Sequence, residues 1–198
     1  IKEFAILSDK TIYPNKNKSS RVRRIRKRLR RTQIKESRQY LAFKARKQKE
    51  GKLATDFNLA KTQLRMQRLY QRLQNIQKDY QNKIVANVVR IKPQWVSIED
   101  LNVTGMMKNR HLSKAVVQEC FYNFRTKLVA KCQQLGIPVH LVNRFEPTSK
   151  LCHNCGYKKV DLGLADRTYK CPNCHYIEDR DINASMNIRD TENYQLAY

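Results

Sequence analysis

No stretch of this chain approaches the roughly 20 consecutive apolar residues needed to cross a bilayer. No basic, then apolar, then small-residue leader opens it either, so neither a membrane span nor a secretory signal is expected. The first residue is Ile1 and not methionine, which is read as removal of upstream sequence. Acidic residues are scarce: 17 Asp+Glu stand against 41 Lys+Arg, giving a formal charge of +24 over 198 residues. Such an excess points to a polyanion partner, with nucleic acid the commonest, over a ribosome-type structural protein or a merely solvated basic surface. A glycine-rich phosphate loop and a base-reading recognition helix are also missing, so the cations are expected to track phosphates without reading bases. Hydrophobic residues make up 40% of the chain, enough for a core, which excludes wholesale disorder.

The pattern along the chain predicts an α/β layer protein. Residues 1–14 read as a β-hairpin, with Phe4, Ile6 and Ile12 flanking a Ser8-Asp9-Lys10 turn. From Ser19 or Ser20, as N-cap, a helix places Val22, Ile25 and Leu29 on one face. Arg21, Arg23, Arg24, Arg26, Lys27, Arg28, Arg30 and Arg31 fill its other faces. Gly51 marks a break, and a second helical pattern runs to about Arg90 with Phe57, Leu64, Leu69, Leu73, Ile76, Tyr80, Ile84 and Val88 as its seam. Tyr70 and Tyr80 are placed with that seam and not on a stacking surface. Past Pro93, Trp95 to Ile98 reads as a strand, and Gly105 and two methionines as a loop. A third helix is expected from a cap at Ser113, burying Val117, Phe121, Phe124, Leu128, Cys132 and Leu135. Gly136, able to take a positive φ, stops it, and Val139 to Val142 forms another strand. Residues 144–180 show no period long enough to bury a core, and Ile182 to Ile188 reads as a short helix.

The aperiodic segment carries its own explanation. Cys152-His153-Asn154-Cys155 and Cys171-Pro172-Asn173-Cys174 are two C-x-x-C turns, each presenting two sulfurs on one side. Together they fit one tetrahedral Zn2+ at about 2.3 Å per sulfur. Four thiolates close the coordination shell, so the ion is expected to be structural, with His153 and His175 left out of it. Zinc contributes on the order of 10–16 kcal/mol in such peptides, in place of a hydrophobic core. Reduced, metal-bound thiols imply an intracellular setting. Cys120 and Cys132 read as buried free thiols in the third helix.

In a chain so basic, clustered acids need a reason. Glu99-Asp100 ends a predicted strand, and Glu178, Asp179 and Asp181 precede or open the last helix. One reading is a carboxylate set for two Mg2+ or Mn2+ ions about 3.5–4 Å apart, the arrangement that hydrolyses phosphodiesters. The other is that Asp181 caps its helix and Glu99 pairs with a surface arginine. The residues alone leave both open.

Three motifs carry a resemblance. Ile98-Glu99-Asp100-Leu101-Asn102-Val103-Thr104-Gly105-Met106, the run from Arg144 through Cys155 to Gly156, and Asp179-Arg180-Asp181-Ile182-Asn183-Ala184 are similar, in order, to motifs of the TnpB proteins of insertion sequences. These are RNA-guided DNA endonucleases related to type V CRISPR effectors and Fanzor proteins. The resemblance implies a RuvC-like fold of the RNase H superfamily, with a basic helical-hairpin insertion at about residues 19–92. It further implies a nuclease core over residues 1–143, a zinc ribbon inserted at 144–180, and a last RuvC helix and tail at 181–198. Glu99 and Asp181, the latter in preference to Asp179, take the catalytic places, with Mg2+ or Mn2+ as their ions. Guide RNA and DNA become the partners, and a prokaryotic cytoplasm, at the nucleoid, the location. The family's first motif carries an aspartate that would fall just before Ile1. Asp9 sits at the far end of the hairpin, some 20 Å off at about 3.3 Å per residue, and Glu3 lacks motif support. The polypeptide is therefore expected to have little nuclease activity. The rival expectation is a zinc-ribbon nucleic-acid binder without catalysis, such as a decayed transposon remnant.

Overall fold

A computed structural model describes residues 2–50, 56–163 and 166–197. The chain divides into two compact units, one formed by Lys16–Gln81 and the other by Ile1–Asn15 with Asn82–Tyr198. Gly51, the expected break, lies outside the described residues.

The Lys16–Gln81 unit is a helical hairpin. After a single 3-10 turn at Lys16–Lys18, helix α1 spans Ser20–Glu50. Ser19 caps it by accepting from the Val22 N–H at 3.3 Å, which satisfies one of the orphan donors of the first turn. Helix α2 spans Phe57–Arg90, leaving this unit past Gln81. Its cap is Asp56, whose carboxylate accepts from the Leu59 N–H at 2.9 Å. Val22, Ile25 and Leu29 are buried as their spacing requires, the last two against Leu69, Met66, Leu73 and Ile76. The seam of α2 departs from expectation at three residues. Phe57 and Leu64 are exposed, and Tyr70 is exposed with its hydroxyl taken by the Gln33 side-chain amide at 2.8 Å. Leu59, Thr62, Gln77 and Gln81 occupy buried positions in their place. The period was right but its phase drifts over 34 residues, because 3.6 residues per turn does not keep one stripe aligned over so long a helix.

The other unit opens with a β-hairpin of β1, Glu3–Ile6, and β2, Ile12–Pro14, paired antiparallel. Lys10 takes a positive φ in its turn, and the Asp9 carboxylate accepts from the Thr11 N–H at 2.9 Å. Strand β3, Val96–Glu99, then lies parallel to β4, Val139–Val142, with Glu99 opposite Val142. A parallel pair needs a crossover, and the residues between supply helices. These are α3, Val103–Lys108, then α4, Ser113–Glu119, and α5, Phe121–Gln134. Where a loop was expected, α3 forms because the Asn102 side chain caps it at the Gly105 N–H.

The expected single third helix is broken. Cys120 adopts φ 53, so α4 ends and α5 begins around it. The break rotates the buried face: Val116 and Glu119 are buried, whereas Val117 and Leu135 are exposed. Ser113 begins α4 without capping it, as the N-cap is Leu112 with no side-chain bond. Of the two free thiols, Cys132 is fully buried but Cys120 only half so. Gly136 takes φ 67 and closes α5 as anticipated.

The core of this unit joins the last turns of α2 to the sheet: Val85, Val89, Leu128, Cys132, Ile137 and Val139 pack with Val96, Ile98 and Phe124. Beyond β4 come β5, Thr168–Lys170, and β6, Ile177–Asp179, an antiparallel pair inside the segment read as aperiodic. Helix α6, Arg180–Asp190, packs on β3 and β1, and β7, Tyr194–Leu196, adds antiparallel to β4. Strands this short carry too few residues for a period to register. Among the described residues the ladders form three sheets, β1–β2, β3–β4–β7 and β5–β6, giving a mixed helix-and-sheet chain.

Candidate functional site

Two hairpin tips build the cysteine cage. Leu151 bridges Lys158 across the first, and the β5–β6 pair forms the second. Each tip repeats one local plan. The Cys152 N–H donates to the Tyr157 carbonyl, and the Cys171 N–H to that of Tyr176, both at 2.9 Å. The residue after the second cysteine turns left-handed in both, Gly156 at φ 71 and His175 at φ 59. The middle asparagines cross over: the Asn154 amide donates to Cys174 Sγ at 3.5 Å, and the Asn173 amide to Cys155 Sγ at 3.6 Å.

All four sulfurs lie within 4.8 Å of one another, with Cys152–Cys174 and Cys155–Cys171 at 3.6 Å. A tetrahedral zinc with bonds of about 2.3 Å requires sulfur–sulfur edges of about 3.8 Å, so the cage fits that ion. Its soft donors suit zinc over Mg2+. Burial pushes the Cys152 thiol up to about 12, while hydrogen bonds, foremost from Asn154, bring Cys174 down to about 6. A cation is what would let four such unlike thiols ionise together. Neither histidine joins the cage; His153 Nδ1 faces an Asp190 carboxylate oxygen at 3.7 Å. Tyr169, fully buried beneath, points its hydroxyl at the carbonyls of Lys150 and Tyr157, both 3.1 Å away.

The ribbon is tied directly to α6. Asn183, fully buried, accepts from the His153 N–H at 3.0 Å and donates to the Leu151 carbonyl at 2.7 Å. One turn on, the Asn187 amide reaches the carbonyls of Thr148 and Leu151. At the helix start, the Asp179 carboxylate accepts from the N–H groups of Asp181 and Ile182, at 2.9 and 3.2 Å. Asp179 is therefore the N-cap, the role that one reading of the acids had given to Asp181.

Asp181 lies in the first turn of α6, the helix that packs on β3. The carboxyl of Glu99 is raised above its ordinary value, first by burial and second by the negative charge of Asp181. The Glu99 side chain is nonetheless exposed to water at the end of β3. Asp181 is also flanked by guanidiniums, Arg180 at 3.3 Å and Arg167 at 3.8 Å. Next to Glu99, Asp100 turns the other way and bonds both Arg144 and Arg125, the latter at 2.7 Å. Arg144 first, then Arg125, holds the Asp100 carboxyl below its usual value. Among the described residues the cysteines are the one cluster of three or more potential metal ligands, so no third such group joins Glu99 and Asp181.

In the helical hairpin, Arg21, Arg23, Arg24, Lys27, Arg28, Arg30 and Arg31 are exposed. Arg26 is half-buried, with Nη2 on the Asn17 side-chain oxygen at 2.6 Å. The sequence reading gave no individual role to Asn154, Asn173, Asn183, Asn187 and Arg144, and counted Asp100 only among the clustered acids. The first two carried a signal, since both knuckles read Cys-x-Asn-Cys.

Fold and cage define the class: a mixed α/β chain with a four-cysteine ribbon. Residues 121–188 match the family model described as Cas12f1-like, TNB domain. A Streptomyces pristinaespiralis protein, provisionally named as an RNA-guided DNA endonuclease, is 32% identical over 145 residues, 73% of this chain and 36% of that protein. The similarly named InsQ of Escherichia coli K12 is 26% identical over 146 residues, 66% of this chain and 36% of InsQ. The chain belongs to the TnpB family. It spans about a third of the length of these curated relatives. Among the described residues, no helix is long and apolar enough to cross a membrane.

Proposed function

We propose that this chain is part of an RNA-guided DNA endonuclease whose RuvC-like, RNase H-type core hydrolyses phosphodiesters at Glu99 and Asp181. The packing of α6 on β3, which brings Asp181 near enough for its charge to raise the Glu99 carboxyl, carries the reading. The parallel β3–β4 pair, the β1–β2 hairpin and α6 lying on β3 and β1 support the fold assignment. In this reading the helical hairpin, about residues 19–92, is an insertion in the nuclease core of residues 1–143. The ribbon of residues 144–180 is a second insertion, and residues 181–198 return to the core.

Hard carboxylate oxygens suit Mg2+ or Mn2+, which would supply Lewis-acid activation of water and charge stabilisation at the phosphate. Glu99 and Asp181 would hold such ions. Asp179 would set the start of α6, and Asp100 would keep Arg125 and Arg144 off Glu99. Cys152, Cys155, Cys171 and Cys174 hold a structural Zn2+ that fixes the ribbon against α6. Arg21, Arg23, Arg24, Arg26, Lys27, Arg28, Arg30 and Arg31 track the phosphates of guide RNA and target DNA, in a prokaryotic cytoplasm. With no third acidic ligand beside these two among the described residues, this reading includes slow cutting by the polypeptide alone.

The test is Mn2+ binding by electron paramagnetic resonance on the zinc-loaded chain, with Glu99→Gln and Asp181→Asn as comparators. Loss of Mn2+ binding in both variants is expected. Equal binding in all three proteins would overturn the assignment. The pairing of Asp181 with Arg180 and Arg167 favours one second reading, a non-catalytic zinc-ribbon binder of DNA or RNA in which those arginines hold the acid. That reading requires unchanged Mn2+ binding together with intact, salt-sensitive DNA binding.

A further inference from the structure

Phe145 is 86% exposed, the most open large hydrophobic side chain among the described residues. Water around a phenyl ring is unfavourable, and a chain end or floppy loop would be the ordinary place to find one. Here the backbone beneath the ring is pinned instead. The Phe145 N–H donates to the Asn143 side-chain oxygen, and the Glu146 N–H to the Asn143 carbonyl, both at 3.0 Å. Asn193 closes the turn: its carbonyl accepts from the Asn143 N–H, and its amide donates to Glu146 at 2.8 Å.

The location is equally specific. Phe145 stands three residues beyond Val142, the register partner of Glu99. Its neighbour Arg144 bonds Asp100, which follows Glu99 and also bonds Arg125. Two guanidiniums share that one carboxylate, so the Arg144 cation stands on one side of the open ring and the Glu146 carboxylate on the other. A solvent-facing aromatic on a pinned turn, next to a cation and just past the strand partner of Glu99, matches the stacking platforms of single-strand binders. In those, π-faces carry bases and arginines carry phosphates.

We infer that Phe145 stacks an unpaired base of single-stranded DNA held at the Glu99–Asp181 edge, with Arg144 on the adjoining phosphate. The inference rests on the reading that this edge receives nucleic acid, but does not need that edge to cut.

The experiment uses the whole zinc-loaded chain, with no added Mg2+ or Mn2+, and a short single-stranded oligodeoxynucleotide containing 2-aminopurine. Phe145→Ala should weaken binding about 5- to 150-fold, the loss of one stacked base. The slope of affinity against salt should not change, because no phosphate contact is removed. Phe145→Trp should restore affinity, and its added fluorescence, above the Trp95 baseline of the parent, should be quenched on binding. Unaltered affinity in Phe145→Ala, or a parent chain that does not bind the oligonucleotide, overturns the inference. Zinc content serves as the folding control, since the ring touches no core cluster. The platform and the nuclease fail separately. Weakened DNA binding in Phe145→Ala beside unchanged Mn2+ binding in Glu99→Gln sinks only the metal site, and the opposite pair of results sinks only the platform.

Discussion

Asn183 and His153 meet through a hydrogen bond of 3.0 Å, the side-chain oxygen of the first accepting from the backbone N–H of the second. With the return bond from Asn183 to the Leu151 carbonyl, a fully buried amide joins the first cysteine knuckle to α6. Buried polar groups of this kind destabilise strongly when one partner is removed. Asn183→Ala should therefore lower stability by about 1–3 kcal/mol. Because the knuckle loses its backing, zinc should also pass to a chromogenic chelator faster than from the parent. A release rate equal to the parent's would show that the knuckle holds its ion without the helix.

Chelating zinc removes the ion that substitutes for a core around Cys152, Tyr169 and Cys171. Limited proteolysis should then cut first within residues 144–180. Helical circular dichroism should persist, since α1 and α2 draw on their own apolar seam. Uniform resistance across residues 144–180 after chelation would contradict the assignment.

The two aspartates at the start of α6 should separate by function. Asp179→Ala removes an N-cap and should cost about 1 kcal/mol, seen as a lower Tm, with Mn2+ binding largely kept. Asp181→Asn should leave Tm nearly unchanged and abolish Mn2+ binding. The reverse pattern would move the metal role to Asp179.

The raised carboxyl of Glu99 gives a pH signature of defined sign. A folded-state pKa above the unfolded one means that the native protein favours the protonated acid. The stabilisation is thus complete below the unfolded value, 4.5, and is lost as pH rises through the folded value. Glu99→Gln, neutral throughout, should have a higher Tm than the parent at pH 7 without added divalent cations. The gap should narrow as pH falls toward 4.5. A constant gap across that range would mean that burial and Asp181 do not act on Glu99 as described.

If the exposed arginines of α1 bind phosphates, binding should depend on salt. If six to ten phosphates are neutralised, affinity should fall about 10³- to 10⁵-fold between 50 and 200 mM salt. Replacing Arg23, Arg24, Arg30 and Arg31 with alanine should flatten that slope, measured by fluorescence anisotropy on labelled nucleic acid. An unchanged slope would place the phosphate contacts elsewhere.

Much of this was open to inspection in one dimension. The β4 limits, the φ of Gly136 and the buried face of α1 follow from local rules that involve only near neighbours along the chain. The paired C-x-x-C turns announced their cage because ligand spacing is itself local. The errors share a cause. Cys120 breaks a helix whose apolar spacing continues straight through it, and the break moves burial from Val117 to Val116. Phe57 and Leu64 fell on the wrong side of a helix long enough for phase to drift.

Taken alone, the sequence determined the cationic surface, the thiolate set and the order of the first hairpin, the two long helices, β3 and β4, since charge count, ligand spacing and periodicity are properties of the chain itself. Tertiary structure decided the rest. It made Asp179 the cap, brought Asp181 near enough for its charge to act on Glu99, 82 residues away in sequence, and set Asn183 against the knuckle. Such pairings depend on how β3, α6 and the ribbon pack in space, and no spacing along the backbone encodes the angle at which two side chains from different elements meet.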